Sequence, residues 1–267
     1  MTSKRILNLT ARKKRDTMLQ WRQVNGVDGA GTASIGASAA NGGRTTIFAW
    51  CPTQRDLTKS SDQTKGSISD DATRTASRVY QVGLKERIRL QVESNTSYTW
   101  RRVCFTSKGL LGAIQLNTQI SLESSAGYTR YTKELTSGAT GDAAALELLR
   151  SVIFKGQLGS DWNNYITAPL DNSRITVMYD KTTVIRSRGD NELNYNTTRW
   201  HPMNKTFIYG DDESGGSKAQ GSAHTLGKAG MGDYIIMDFW EPGPNAQYHT
   251  GTSADLDIES TMYWHER

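Results

Sequence analysis

The chain has 267 residues, of which only 36 % are hydrophobic, and it contains neither the roughly 18-residue apolar run of a membrane span nor an early apolar segment of the signal-peptide kind. Its Gly (25), Trp (7) and Tyr (11), with abundant Thr, Ser and Asn, favour strands and turns over helices, and a chain this long buries a core without help from disulfides or metal. The net charge of +5 is unevenly placed: residues 1–22 hold seven bases and one acid, while the other 25 bases and 26 acids nearly cancel. That is the distribution of a basic segment that meets a polyanion.

In chain order, residues 1–22 alternate basic clusters with the short apolar pairs Ile6-Leu7 and Met18-Leu19, and lead into the strands of a domain over 23–267. Val24 to Gly43 reads as a small-residue, flexible stretch with turn signals at Asn25-Gly26 and Asn41-Gly42. Thr45 to Cys51 predicts a strand that Pro52 stops, and 58–77 a polar loop. Tyr80, Val82, Leu84, Ile88, Leu90 and Val92 then share one parity, with Glu86 the one break in the apolar set. That period of two predicts a long strand with one face in a core. Further strands are predicted at Tyr98–Phe105, Ile114–Leu122, Ile175–Ile185, Thr206–Tyr209, Tyr234–Trp240 and Leu256–Trp264, the last with Asp255, Asp257, Glu259, Thr261, Tyr263 and His265 facing outward. One helix is predicted, from about Asp142 to Phe154, because Leu146, Leu149, Val152 and Ile153 form a stripe between Gly141 and Gly156. About eight strands joined by long loops indicate an all-β, eight-stranded antiparallel jelly-roll sandwich with one short inserted helix.

The chemistry-bearing residues are mostly cations. Arg12-Lys13-Lys14-Arg15, with Lys4 and Arg5 ahead and Trp21 and Arg22 behind, can neutralise phosphates without sequence preference, and aromatics there can stack on unpaired bases. The same run also fits a solvated face or a nuclear-import signal. Arg87, Arg89, Arg101 and Arg102 fall on polar strand faces, where they line an interior surface, pair across a subunit contact, or stand solvated. Asp211-Asp212-Glu213 and the Asp255/Asp257/Glu259 row could hold a hard cation, though such rows are more often solvated faces or contact charges. His201, His224, His249 and His265 stand apart, and the nucleophile-elbow, His-Glu-x-x-His, P-loop and Cys-x-x-Cys patterns do not occur. No catalytic residue, metal or cofactor is therefore assigned, and no enzyme is expected. Cys51 and Cys104, both inside apolar strand-like runs, read as buried free thiols ahead of a disulfide or a reactive site. The sequons at Asn8, Asn95, Asn196 and Asn204 read as accidental in an intracellularly made, soluble protein without a membrane partner.

Several stretches carry a resemblance. Ser3-Lys-Arg-Ile-Leu-Asn-Leu-Thr followed by Arg12-Lys-Lys-Arg-Asp-Thr-Met-Leu19, then Gly83-Leu-Lys-Glu-Arg-Ile, Trp100-Arg-Arg-Val-Cys-Phe105, and Gly-Asp-Tyr-Ile-Ile-Met-Asp-Phe-Trp at 232–240 resemble the coat proteins of genomoviruses (gemycircularviruses), and more faintly those of geminiviruses. The resemblance spans nearly the whole chain, and it rests on the order and spacing of these stretches. It implies a single jelly roll, a 60-subunit T=1 shell of identical copies, packaging of circular single-stranded DNA, residence in the virion, and assembly in the host nucleus. It also implies that residues 1–22 face the shell interior. Coat proteins of this family ordinarily carry a longer Arg-rich arm, so the resemblance implies that such an arm was removed ahead of an added Met1, weakening packaging and nuclear import. Import and cell receptors are left open. A nucleic-acid- or glycan-binding β-sandwich outside viruses is the alternative reading, and a glycosidase-like enzyme a third.

Overall fold

The computed structural model describes residues 9–24, 27–37, 45–93, 96–125, 127–136, 141–187, 191–218, 221–243 and 251–266. Lys4, Arg5, both Asn-Gly turns, the sequons at Asn8 and Asn95, and His249 lie outside them. The chain runs through β1 (Arg12–Met18), β2 (Gln20–Val24), β3 (Val27–Ala30), β4 (Ala33–Ala37), β5 (Thr46–Trp50), β6 (Arg78–Val92), β7 (Ser97–Ser107) and the short helix α1 (Leu110–Gln115). It continues through β8 (Glu123–Ser124), β9 (Gly127–Tyr128), β10 (Arg130–Glu134), helix α2 (Asp142–Ile153), β11 (Thr176–Arg186) and β12 (Leu193–Ile208). The minor hairpin β13 (Glu213–Ser214) and β14 (Ser217–Lys218) precedes β15 (Asp233–Pro242) and β16 (Gly251–Glu266).

Two sheets pair in the orders β1-β16-β6-β12, with β4 added on β16, and β11-β7-β15-β5-β10-β2-β3. The fold is all-β and sandwich-like. Numbering β1, β5, β6, β7, β11, β12, β15 and β16 alone from 1 to 8, and leaving aside the added strands β2, β3, β4 and β10, neighbours run 1-8-3-6 in the first sheet and 5-4-7-2 in the second. Sequence neighbours are thus mostly dealt to different sheets or to non-adjacent places. Long loops are what this connectivity requires.

The second sheet is covered on both faces, which explains why β5, β10 and β15 are apolar or buried at almost every position. Phe48, Trp50, Trp100, Cys104, Ile236 and Trp240 face the first sheet. Ile47, Ala49, Val103, Phe105, Ile235, Met237 and Phe239 pack beneath the helices, against Leu111, Leu149, Ile153 and Phe154. Helix α2 follows the predicted boundaries to within a residue: Gly141 adopts φ 90 at its start, Asp142 sits in the first turn where the helix dipole favours an acid, and Ala145, Leu149 and Ile153 are buried one turn apart. Among the described residues no helix is long and apolar enough to cross a membrane.

The core between the sheets is split by a band of charge. On β6 Glu86 lies between Leu84 and Ile88, on β7 Arg102 between Trp100 and Cys104, and on β15 Asp238 between Ile236 and Trp240. All three are buried, together with Arg130 of β10 and His201 of β12. Arg102 donates to Asp238 Oδ1 (2.7 Å) and Oδ2 (2.8 Å) and pairs with Glu86 Oε2; Arg130 Nε donates to Glu86 Oε1 (2.9 Å); His201 Nε2 lies 3.1 Å from Glu86 Oε2. One apolar cluster, with Leu90, Trp100 and Leu256, fills one side of this band, and another, with Leu84, Trp50 and Met262, fills the other. Burial alone would raise the Glu86 carboxyl, but the guanidiniums of Arg102 and Arg130 outweigh it and hold Glu86 well below the usual carboxylate range.

Several expectations are corrected. Arg101 and Arg102 are neither solvated nor free to meet another subunit, since Arg101 forks onto Asp180 (2.9 and 2.8 Å) and Arg102 belongs to the central band. Ile114–Leu122 is no strand: Gly109 at φ 78 starts helix α1, Leu110, Leu111 and Ile114 supply a helical spacing, and Leu116 is exposed. Thr206–Tyr209 is the end of a sixteen-residue strand, β12. Pro202 interrupts the sequence signal there, but it occupies a bulge on the open edge of the first sheet, where no ladder donor is needed. The stretch 24–43 contains β3 and β4, held by β2 and β16 rather than by their own apolar content. The parity of β6 also changes: a register shift at Val82 turns Val79 and Gln81 inward and leaves Tyr80 exposed. Cys51 and Cys104 are buried free thiols, each pushed up to about 12 by burial and so unreactive at neutral pH.

The two long polar loops are not loose. Arg74 in the 58–77 loop is buried, stacks 3.6 Å over the Tyr209 ring, and forks onto Asp211 of the 210–230 loop at 2.7 and 3.3 Å. It also donates to the Gly221, Ala76, Arg55 and Asp56 carbonyls. Asp211 is therefore saturated and unavailable to a cation. Arg74→Lys keeps the charge but loses the fork, so limited proteolysis is expected to cut both loops several-fold faster, with core cleavages unchanged. Equal cutting rates would show that other interactions hold the loops.

Asp233, at the start of β15, is buried with the backbone N–H of His224 as its donor (2.9 Å). Burial raises its carboxyl from 3.8 to about 7, opposed only in part by that hydrogen bond. The folded pKa thus lies above the unfolded one. The protonated acid stabilises the fold fully below about pH 4, and this contribution is lost as the pH climbs to about 7. Asp233→Asn should flatten that part of the melting-temperature profile, whereas an unchanged slope would assign it to other groups.

Candidate nucleic-acid interface

The first sheet buries one face and offers the other to solvent. Its outward side chains come from alternate positions: Lys13 and Arg15 on β1, Asp255, Asp257, Glu259, Thr261, Tyr263 and His265 on β16, Lys85, Arg87, Arg89 and Gln91 on β6, and Asn194, Asn196, Thr198 and Trp200 on β12. The outward row predicted for the last strand has the parity observed, with Asp257 and Glu259 exposed and Asp255, Tyr263 and His265 half-buried, but Thr261 is buried beside Thr17.

Register sorts this face into two halves. At one end Arg87 stands opposite Glu259, Arg89 opposite Asp257, and Gln91 opposite Asp255. Arg87 Nη1 lies 3.5 Å from Glu259 Oε2, both side chains being exposed. A pair of that kind is worth only about 0–1 kcal/mol, but it cancels charge. At the other end Arg15 faces Tyr263, Lys13 faces His265, and Lys85 faces Thr261 and Trp200. Burial and the neighbouring Lys13 lower the His265 pKa, which favours the neutral imidazole. No acid faces these three cations across the ladder, and this end of the face carries a surplus of positive charge.

The eight predicted contact residues do not form one constellation. Lys4 and Arg5 lie outside the described residues. Arg12, Lys13 and Arg15 are exposed, within an ordered strand rather than on a loose arm. Lys14 is a correction: strand parity turns it inward, where its ammonium is buried against Glu266 (3.4 Å) and donates to the Asp70 and Thr73 carbonyls at 3.1 and 2.7 Å. It is thereby withdrawn from any phosphate. Trp21 and Arg22 are half-buried on β2, which has crossed to the second sheet. Trp21 packs against the cluster of Met18 and Trp50.

Sequence reasoning missed Lys85, Trp200 and Tyr263 as a set, because they lie on three strands and only cross-strand register makes them neighbours. The available signal was Trp200 itself, a large aromatic in an otherwise polar stretch. Among the described residues no cluster of His, Cys, Asp and Glu is arranged to hold a metal ion.

The chain matches no protein-family model and no curated protein sequence.

Proposed function

We propose that this chain is the coat protein of a small circular single-stranded DNA virus, identical copies of which close a T=1 shell of 60 subunits around the genome, in the virion and, during assembly, in the host nucleus. The observation that carries the reading is the 1-8-3-6 and 5-4-7-2 order of the eight numbered strands, which we read as a jelly roll to whose sheets β4 and β10-β2-β3 are added. The uncompensated cations at one end of the first sheet's outer face support a polyanionic partner, and that face is the one we assign to the shell interior. Loops latched by Arg74 give each copy shaped edges to present to its neighbours in a closed symmetric assembly. The family resemblance of the stretches around Arg12, Gly83, Trp100 and Gly232 points the same way. No step of this function calls for a catalytic residue or a cofactor.

Negative-stain electron microscopy of the purified protein, paired with the ratio of absorbance at 260 and 280 nm, tests the proposal. Uniform round particles are expected, with a ratio raised by packaged nucleic acid. A small monodisperse species at every salt and pH would replace the shell by a monomeric binding module.

A further inference from the structure

Six of the seven tryptophans, at 21, 50, 100, 162, 240 and 264, are buried or half-buried, whereas Trp200 is 49 % exposed. Its position is built rather than incidental. The six-membered ring of the indole occupies the space over Gly83, where any Cβ would fall 2.6 and 2.8 Å from Trp200 Cζ2 and Cη2 and 2.6 Å from the His201 carbonyl oxygen. A residue without a side chain is therefore required beneath it. The Tyr263 ring stands 5.8 Å from it, centroid to centroid, at 59°. Two aromatic walls thus meet on a solvated sheet face.

We propose that this notch is a base-stacking site for single-stranded nucleic acid, made by Trp200 on Gly83 beside Tyr263 and bordered by Arg15 and Lys85. The inference rests on the reading of this face as the genome-facing one, and deepens it by naming the part of the polynucleotide that the face takes. The cations and aromatics coincide: Lys85 is the ladder partner of Trp200, and Arg15 that of Tyr263. Arg15 and Lys85 lie two strands apart, roughly 10 Å across the sheet from the usual strand spacing, so phosphates on either side of an inserted base can each meet one. The compensated half of the face, where Arg87 and Arg89 meet Glu259 and Asp257, lacks this surplus. Duplex DNA keeps its base faces stacked inside and offers Trp200 nothing to stack on. An unpaired strand offers a face at each nucleotide.

The test is titration of the purified protein, freed of bound nucleic acid at high salt, with a short oligothymidylate and with a blunt duplex of the same length. Intrinsic fluorescence is the readout, since the other tryptophans are shielded. The oligothymidylate is expected to quench the exposed fraction. Trp200→Ala should abolish that quenching and weaken binding about tenfold, the effect of losing one stacked base, with the salt slope unchanged. Trp200→Phe, which keeps a ring, should restore most of the affinity and shows that any loss in the alanine variant is not misfolding. Arg15→Gln with Lys85→Gln should instead flatten the salt slope by about 1.4, near 0.7 for each single-strand phosphate left without its cation.

Undiminished affinity in Trp200→Ala would overturn the site, as would equal Trp200 dependence on the duplex. A change in self-association of the nucleic-acid-free protein, with oligothymidylate affinity intact, would also overturn it and make the face a junction between copies. Particles that form and package normally in a variant with unaltered oligothymidylate affinity sink the stacking site and leave the shell standing. Trp200-dependent binding without particles does the reverse.

Discussion

Glu86→Ala is expected to lower stability by about 3–5 kcal/mol, the usual result of removing one partner from a buried ion pair. Glu86 compensates Arg102 and Arg130 together and also faces His201, so its loss leaves two guanidiniums with Asp238 as the one remaining buried carboxylate of the band. At 2–4 °C per kcal/mol for a chain of this size class, the melting temperature should fall by roughly 10 °C. Removing Arg102 as well restores neutrality, because Arg130 and Asp238 then stand as a pair at 3.7 Å. Glu86→Leu combined with Arg102→Met should therefore be less damaging than Glu86→Ala alone. The same carboxyl sets an acid limit. Its folded pKa is depressed, so the stability it supplies is complete above its ordinary value of 4.5 and drains away as the pH falls further. Its sign is opposite to that of Asp233, so lowering the pH weakens the contribution of Glu86 and strengthens that of Asp233. Thermal melts of the single and double variants across pH settle the matter, and a loss within 1 kcal/mol for Glu86→Ala would show the band to be energetically idle.

The basic run should separate into two kinds of cation when taken apart one residue at a time. Lys14→Ala is expected to cost about 3–5 kcal/mol, since it leaves Glu266 buried without its ammonium. Glu266 already accepts from the Thr75 backbone N–H at 3.1 Å and the Trp264 indole N–H at 2.8 Å, so the damage should spread to the closing turn of the last strand. Lys13→Ala and Arg15→Ala should stay within about 0.5 kcal/mol of the parent, as exposed substitutions do, while each lowers the salt slope of single-strand binding by about 0.7. Denaturant melts and salt-dependent titrations of the three variants are the measurement. If Lys14→Ala melts like the parent but loses nucleic acid, the assignment of roles along β1 is reversed.

Legibility in the sequence followed the physical origin of each element. Strands β5, β7, β11 and β15 are apolar or alternating within a single segment, so each is readable on its own. Helix α2 announces itself by its stripe between two glycines. What escaped depends on partners far along the chain. β12 is held by fourteen ladder partners on β6 rather than by its own composition, and Val82 changes parity because of a bulge that no local pattern marks. For the candidate site, the exposed cations Arg12, Lys13 and Arg15 were legible as charge, but nothing in four consecutive bases tells that the third points inward. Glu86 read as an interruption of the strand's apolar set, yet it is the centre of the buried band. Exceptions to a pattern are informative when the opposite sheet supplies the reason.

The place of β16 bears on how the molecule is made. The strand that comes last in chain order lies in the middle of the first sheet, with β1 and β4 on one side and β6 on the other. Thr17 and Thr261, bonded to each other across that junction, are separated by 244 positions. During synthesis β1, β4 and the inner edge of β6 must therefore wait unpaired until almost the whole domain has left the ribosome. Such non-local closure is slow, on the millisecond-to-second scale typical of β-sandwiches, and it holds sticky strands open at the concentrations where copies meet. A stop codon that removed β16 would leave β6 and β12 paired with each other but would strip β1 and β4 of the strand that ties them to the first sheet.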